Sequence, residues 1–240
     1  MFRNYLYGGK IMKRFLLVIL GIVLTLSLSS CASKPDSVVF NDKLLEEKVR
    51  ESMNRPNGNI TLEEAAAVKK LELSIDWDPN KPNNEKIQDI SALKYFTNLE
   101  LLDIQFHAIT DISPLSGLTK LHSLGIGGNQ IGNISILSNL KNLRFLSIFN
   151  CQASDYSSLK ELTYLQTLFI SWSTIEDLSV ISDLKDLTQL YIDNTQVSDL
   201  TPISNLNLKA LKLSGSKVTD YTPILKIYPS LKEKDFELPN

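Results

Sequence analysis

The sequence predicts an α/β repeat solenoid, in which short parallel strands stack one behind another and turns or 3₁₀ segments return the chain. The first observation is the pattern apolar-x-Asp-apolar-Ser-x-apolar, which recurs every 22 residues with one interval of 21. Its copies begin at Ile87, Ile109, Ile131, Ala153, Ile175, Val197 and Val218. The second observation is a Leu-x-x-Leu-x-Leu pattern between these copies. Because one such unit cannot bury its own apolar face, neighbouring units must stack.

Each repeat divides into a strand and a turn. An apolar pair with a period of two, such as Leu102 and Ile104, predicts a short strand with one face turned inward. The apolar residues that follow at intervals of three, such as Ile109, Ile112 and Leu115, predict a loose or 3₁₀ segment on the opposite wall. We therefore expect strands on one wall and 3₁₀ or loop segments on the other.

A polar column recurs on the turn side of the repeats. It holds Asp89, Asp111, Asn133, Asp155, Asp177, Asp199 and Asp220, and a serine or threonine stands two residues after each of them. We interpret these side-chain oxygens as acceptors for backbone N–H groups at each turn, rather than as a row of catalytic carboxylates. Proline follows the hydroxyl residue at 114, 202 and 223, which predicts an N-cap followed by proline at the first helical position.

Residues 41–86 predict a helical N-terminal cap with a first degenerate repeat. Leu45, Val49 and Met53 recur every four residues, and Thr61 with Glu64 forms a capping-box pattern that opens a short second helix. A degenerate strand follows, over residues 68–73. The repeats proper are assigned to 87–231, and 232–240 is assigned to a C-terminal tail.

An inserted loop interrupts the first repeat. From Leu73 to Ile87 the chain takes 14 residues, whereas the same step takes five in a regular repeat. The loop contains Asp76, Asp78 and Asn80 at alternate positions, as at the start of a calcium-binding EF-hand loop, but lacks the glycine and glutamate that such a loop requires. We favour a surface loop with an exposed tryptophan, Trp77, over a calcium site.

The first 30 residues have the features of an export signal. Lys13 and Arg14 precede an uncharged apolar run over 15–28, which has the length of a signal-peptide core and is short for a membrane span. Met12 is an alternative start. The sequence Leu-Ser-Ser-Cys ending at Cys31 resembles the lipobox of bacterial lipoproteins, which implies lipidation of Cys31 and anchoring at the outer face of the membrane. Residues 31–40 are then the lipidated cysteine and a short tether; an ordinary signal peptide or an uncleaved anchor are the alternatives.

Composition and motifs argue against several classes of function. With 25 basic and 27 acidic residues the formal charge is −2, so the chain has no bulk attraction for nucleic acid. Two cysteines are too few for a disulfide scaffold or a structural zinc site. The sequence has no phosphate-binding loop, zinc-protease helix or nucleophile elbow, and its two histidines, His107 and His122, have no evident third ligand. We therefore expect no enzymatic activity, no cofactor and no metal.

The repeat pattern resembles that of leucine-rich repeat proteins, specifically the 22-residue internalin-like type of Gram-positive bacteria. The resemblance covers residues 60–231 and implies a horseshoe with parallel strands on its concave face. The family usually has a buried asparagine at a position that here holds His107, Asn129, Cys151, Ser173, Thr195 and Ser216. Hydroxyl groups or water are expected to replace the missing asparagines, and Cys151 is expected to be a buried, inert thiol.

The residues that flank the strand leucines project from the concave face and are the candidate partner-binding residues. Those selected are Asp103, Gln105, Phe145, Phe149, Phe169, Trp172, Gln189, Tyr191 and Asp193. Aromatic rings on consecutive strands about 4.8 Å apart resemble a protein-binding hot spot. The alternative is that some rings fold onto the strand ladder or are covered by a second copy of the chain.

These features predict a non-catalytic lipoprotein that recognises a protein partner through its concave face. A structural or regulatory subunit of a stable envelope complex is the alternative, and an undetected hydrolase is a remote third. The tether is short, and the chain ends at Asn240 without an immunoglobulin-like domain or a wall-sorting signal. We therefore expect a partner in the envelope, or one that diffuses inward, at least as much as a host receptor.

Overall fold

Eight short strands form one parallel sheet in chain order, as the repeat pattern predicts. The strands, β1 to β8, span Lys70–Glu72, Leu101–Asp103, Ser123–Gly125, Phe145–Ser147, Thr167–Phe169, Gln189–Tyr191, Ala210–Lys212 and Glu233–Lys234. From Leu71 in β1 to Leu211 in β7, the central leucine of each strand pairs with that of the next. The computed structural model describes residues 36–239, to which this strand count refers.

Two α-helices precede the sheet and cover its first strand. Helix α1 spans Lys43–Ser52 and helix α2 spans Leu62–Ala67, where Thr61 and Glu64 form the predicted capping box. Asp42 connects the helical cap to the first repeat, because one carboxylate oxygen accepts from the backbone of α1 and the other accepts from Gln88 N at 2.8 Å. Within residues 36–239, no helix is long and apolar enough to cross a membrane.

Short 3₁₀ helices form the wall opposite the strands. They span Asn83–Glu85, Ser91–Tyr95, Ser113–Leu115, Ser135–Asn139, Ser157–Glu161, Leu178–Ile181, Thr201–Ile203, Thr222–Ile224 and Tyr228–Ser230. Between the two walls lies one continuous hydrophobic core, in which Leu102, Ile104 and Ile109 of a typical repeat are fully buried. The predicted division of each repeat into a strand and a 3₁₀ turn is therefore confirmed.

The polar column has the structural role that its spacing predicts. In all seven repeats the aspartate or asparagine oxygen accepts from the backbone N two residues later, at 2.7 to 2.9 Å. The predicted N-cap position was wrong, however. The 3₁₀ helices begin at Ser113, Thr201 and Thr222, so the hydroxyl residue is the first helical residue and proline is the second. Its N–H is already bonded to the preceding carboxylate, which takes over the capping role.

Both ends of the fold extend further than the sequence indicates. The tether assigned to 31–40 includes residues that pack, because Ser37 bridges to Thr61, Val38 N donates to Ile60 O at 2.8 Å and Phe40 lies against the core. The predicted signal segment, Met12 and Cys31 lie outside the described residues. Residues from Ser37 onward form one compact unit with its own core.

The tail assigned to 232–240 contains an eighth strand rather than only irregular chain. Glu233 N and Lys232 N donate to Lys209 O, which adds β8 to the sheet. Beyond β8, the Asp235 carboxylate accepts from Leu213 N at 2.9 Å, in the place of the strand carbonyl that receives this bond in earlier repeats. In those repeats the acceptor is a backbone oxygen, as in the bond from Ile192 N to Lys212 O.

Candidate functional site on the concave face

The strand residues beside the buried leucines form columns on the concave face. The strand register aligns Phe145 with Thr167 and Gln189 in one column. In the next column it aligns Phe169 with Tyr191. A third column lies two residues beyond the second and holds Gln105, Gly127, Phe149, Ser171, Asp193 and Ser214. All the predicted site residues except Trp172 therefore lie in columns on one face of the sheet, as the strand pattern requires.

Three aromatic rings from consecutive strands contact one another. The ring centroids of Phe145 and Phe169 are 5.7 Å apart and tilted by 49°. Phe169 and Tyr191 are stacked, with centroids 4.0 Å apart and an interplanar angle of 7°. Phe145 and Phe169 are half-buried, whereas Tyr191 is only 7% exposed. We call these residues the aromatic ladder.

Phe149 belongs to a separate aromatic pair. Its ring centroid is 5.2 Å from that of Phe106, which comes from two repeats earlier. The two rings lie over Gly127 and Gly128 of the repeat between them, because a Cβ at either glycine would overlap one of the rings. Phe106 was not predicted as a site residue. The consecutive glycines at this point in the repeat were the signal that large side chains from neighbouring repeats cover the position.

Asp103 and Gln105 form a hydrogen-bonded bridge across a glycine. Gln105 Nε2 donates to Asp103 Oδ1, and Ser147 Oγ donates to Gln105 Oε1, both at 2.9 Å. This chain of side chains passes over Gly125, where an added Cβ would lie 2.9 Å from Asp103 Oδ1. The polar groups at this end of the face are therefore held in fixed orientations by bonds to one another.

The polar side chains at the other end of the face are bonded to one another. Asp193 accepts hydrogen bonds from Ser171 Oγ and from Asn194 Nδ2. Glu233 lies 2.7 Å from Lys212 Nζ, and the hydrogen bond that they form lowers the pKa of Glu233 and raises that of Lys212. Burial, together with the bond from Tyr191 Oη to Glu233, raises the pKa of Tyr191. Gln189 is exposed.

A column of left-handed residues borders the concave face where the strands end. Phe106, Gly128, Asn150, Trp172, Asn194 and Gly215 occupy it, with φ between 55° and 74°. Glycine and asparagine tolerate this conformation, whereas aromatic residues are strained in it. Trp172 is nevertheless 59% exposed, so little of its ring is buried in return. Sequence periodicity places Trp172 at the edge of the face but does not reveal its left-handed backbone. Only the glycines and asparagines at the equivalent positions of other repeats indicate that conformation.

The inner turn column is buried from His107 to Thr195, and each of these side chains has a hydrogen-bond partner, whereas Ser216 is only half-buried. Asn129 Nδ2 donates to Ile104 O at 2.9 Å, and Cys151 Sγ donates to Ile131 O at 3.1 Å. Burial raises the pKa of the Cys151 thiol, which is 3% exposed. The prediction that Cys151 is buried is confirmed.

The inserted loop closes on itself. Asp78 Oδ1 accepts from Asn80 N at 2.8 Å, which folds the alternate acidic residues into a local turn. Trp77 is 69% exposed, as predicted. In the part of the chain that the structure describes, no group of three or more His, Cys, Asp or Glu side chains is arranged to hold a metal.

The chain is similar to known leucine-rich-repeat proteins in sequence and in structure. Residues 119–161 match the family model for leucine-rich repeats in two copies. An internalin (inlF) from Listeria monocytogenes superposes with a TM-score of 0.68 at 30% identity, over 85% of this chain and 66% of that one. An internalin C2 from the same species superposes with a TM-score of 0.64 at 26% identity, over 84% of this chain and 96% of that one. No curated protein sequence matches the chain.

Proposed function

Because the chain is an internalin-like leucine-rich-repeat protein, we propose that it is a non-catalytic module that binds a protein partner through its concave face. The observation that carries the proposal is Trp172, which is both exposed and held in a left-handed backbone conformation. Strained residues persist where the surrounding structure and the function require them. Tryptophan is also the side chain most enriched among residues that dominate binding energy.

The remainder of the face has the composition of an interface core. Phe145 and Phe169 offer half-buried ring surface beside Trp172, and the polar groups nearby are already hydrogen-bonded within the molecule. Fixed side chains lose little conformational entropy on binding, which favours affinity. Because the aromatic rings are contiguous and the polar groups beside them are already bonded, we expect the partner to present a largely apolar surface to the aromatic ladder.

We further propose that Cys31 carries a lipid and holds the protein at the outer face of a bacterial membrane. Since Ser37 is already part of the fold, six peptide steps separate it from Cys31. An extended chain spans at most about 3.6 Å per residue, so the folded part stays within about 22 Å of the anchor. A partner must therefore lie in the envelope or reach it by diffusion. The anchor is tested by Cys31→Ala, which we expect to move the protein from the detergent phase to the aqueous phase.

The binding proposal is tested by affinity capture with one altered residue. Trp172→Asn removes the ring and installs a residue that the same column accepts at Asn150 and Asn194. Tyr164→Ala is the matched control, because Tyr164 is similarly exposed at 56% but lies before β5, outside the concave columns. We expect the wild-type chain and Tyr164→Ala to retain the same captured protein and Trp172→Asn to lose it. Equal capture by all three would exclude this edge of the face.

The second candidate is a permanent subunit of an envelope complex, favoured by the contiguous rings of the aromatic ladder. Obligate interfaces are more hydrophobic than transient ones. A permanent complex survives purification at high salt and sediments as one species at every protein concentration. A transient partner dissociates on dilution.

A further inference from the structure

His107 joins the two ends of the inserted loop. The loop leaves the sheet at Leu73 and returns at Ile87, and both residues bond to the same imidazole ring. Nδ1 accepts from Ile87 N at 3.2 Å, so the neutral ring carries its proton on Nε2, which donates to Leu73 O at 2.9 Å. The imidazole thus links the first and last residues of a loop that carries the exposed Trp77.

The next repeat makes the same pair of bonds with a side chain that does not titrate. Asn129 Oδ1 accepts from Ile109 N at 3.1 Å, and its Nδ2 donates to Ile104 O at 2.9 Å. These two bonds link positions five residues apart in the sequence, whereas His107 links positions 14 apart. The repeat with the long loop therefore uses an imidazole, which loses its acceptor nitrogen on protonation, where the next repeat uses an amide.

We propose that the His107 imidazole holds the inserted loop closed when it is neutral and releases the loop when it is protonated. A protonated ring carries N–H groups on both nitrogens and cannot accept from Ile87 N. It would also place a charge at a site that is only 2% exposed. Both effects favour separation of the two loop ends, and neither depends on partner binding at the concave face.

The charges around His107 do not offset this cost. The charged groups that act on it are Asp42, the N-cap residue of helix α1, Lys48 within that helix and Lys81 of the loop. Leu73 and Ile87 present backbone groups to the ring. Burial is the largest influence and lowers the pKa of His107 below its usual value, with Lys48 and Lys81 acting in the same direction and Asp42 opposing them. The closed loop is therefore stable above about pH 6.5 and loses stability as the pH falls toward the lower folded pKa.

The loop has few other bonds to the sheet. Its internal hydrogen bonds are local, such as those from Lys81 N to Asp78 O and from Lys86 N to Asn83 O. At its start, Ile75 N reaches Gln105 O over a long 3.4 Å. At its end, Ala108 N donates to Ile87 O at 3.0 Å. Release of His107 therefore frees the loop without disrupting the ladder of leucines.

The test is an NMR measurement of loop order and histidine titration on residues 32–240, which contain the whole compact unit. Between pH 7.5 and pH 5, we expect the backbone order parameters of the loop to fall from about 0.85 to below about 0.6. The imidazole of His107 should titrate over the same pH range in which the loop loses order.

Two variants complete the test. His107→Asn copies the bonds of Asn129 and should keep the loop ordered at both pH values, whereas His122→Gln should behave as the wild type does. The proposal is overturned if the wild-type loop stays ordered at pH 5, or if His107→Asn folds and still loses loop order with acid. Should His107→Asn not fold, a mismatch between the wild-type His107 titration and the loop transition overturns it instead.

Discussion

The ring of Phe149 occupies the space that a side chain at Gly127 would need. A Cβ built at Gly127 would overlap three atoms of the ring, although the two residues come from different repeats. Gly127 and Phe149 therefore form a single packing unit, in which the glycine leaves room for the ring. Phe106 completes it by covering Gly128 and contacting Phe149.

Gly127→Ala is expected to displace Phe149 and separate it from Phe106. Overpacking of this kind costs about 1 to 3 kcal/mol of the free energy of unfolding, measured by urea denaturation. Gly117→Ala is the control, because Gly117 is exposed and nothing lies within 4 Å of an added Cβ. That change should stay within about 0.5 kcal/mol of wild type. Equal effects of the two substitutions would contradict the packing unit.

Trp172→Asn is expected to stabilise the fold by about 0.5 to 1 kcal/mol, because an aromatic residue is strained at φ 58° and asparagine is not. The reciprocal change, Asn150→Trp, places tryptophan at the same point of the preceding repeat, where φ is 55°. It should lower stability by a similar amount. Thermal unfolding of both variants measures the effect, and a loss of stability in Trp172→Asn would mean that ring contacts outweigh the strain.

The aspartates of the polar column are expected to make stability fall at low pH. Hydrogen bonds from Ser157, Ser179 and Thr201 lower the pKa of the carboxyls two residues before them. In the unfolded chain these carboxyls titrate near about 3.9. Their stabilising effect is therefore present above that pH and is lost as the pH falls through the lower folded pKa values. The melting temperature, measured from pH 5 to pH 2, should fall steeply below about pH 4.

A triple asparagine variant separates this effect from a general loss of charge. Asn133 already holds its turn through Ser135 N, so asparagine at 155, 177 and 199 should preserve the bonds and flatten the acid slope. The control changes three exposed glutamates outside the column to glutamine, and these are Glu47, Glu51 and Glu176. If both variants show the same slope, the column is not its source.

The sequence predicted the features that depend on which residues are apolar and how they are spaced. Leucines at fixed offsets predicted the strand register from Leu71 to Leu211, because a parallel stack buries equivalent positions together. The polar column was predicted for the same reason, since each turn repeats the same unsatisfied backbone N–H. A buried Cys151 followed from its place on the inner side of the turn.

Features that depend on contacts between repeats were less predictable. The burial of Tyr191 under the stack with Phe169, and the pairing of Phe149 with a residue two repeats away, arise from side-chain rotations that spacing does not encode. His107 was recognised as a member of the turn column, but not as the bond between the two ends of the loop. That role appears only when the loop ends are seen to meet at one ring.

The carboxylate of Asp235 closes the last repeat, which affects how the number of repeats in this protein can change. In the interior repeats, the backbone N–H that follows each strand donates to a backbone oxygen of the next strand. In the last repeat, the acceptor is the Asp235 side chain. Duplication of one 22-residue unit, such as 109–130, would therefore lengthen the molecule by a step of about 4.8 Å while the closing residues at both ends stay unchanged. Growth or shortening by whole units would alter which aromatic residues are neighbours, and so create new recognition surfaces from existing parts.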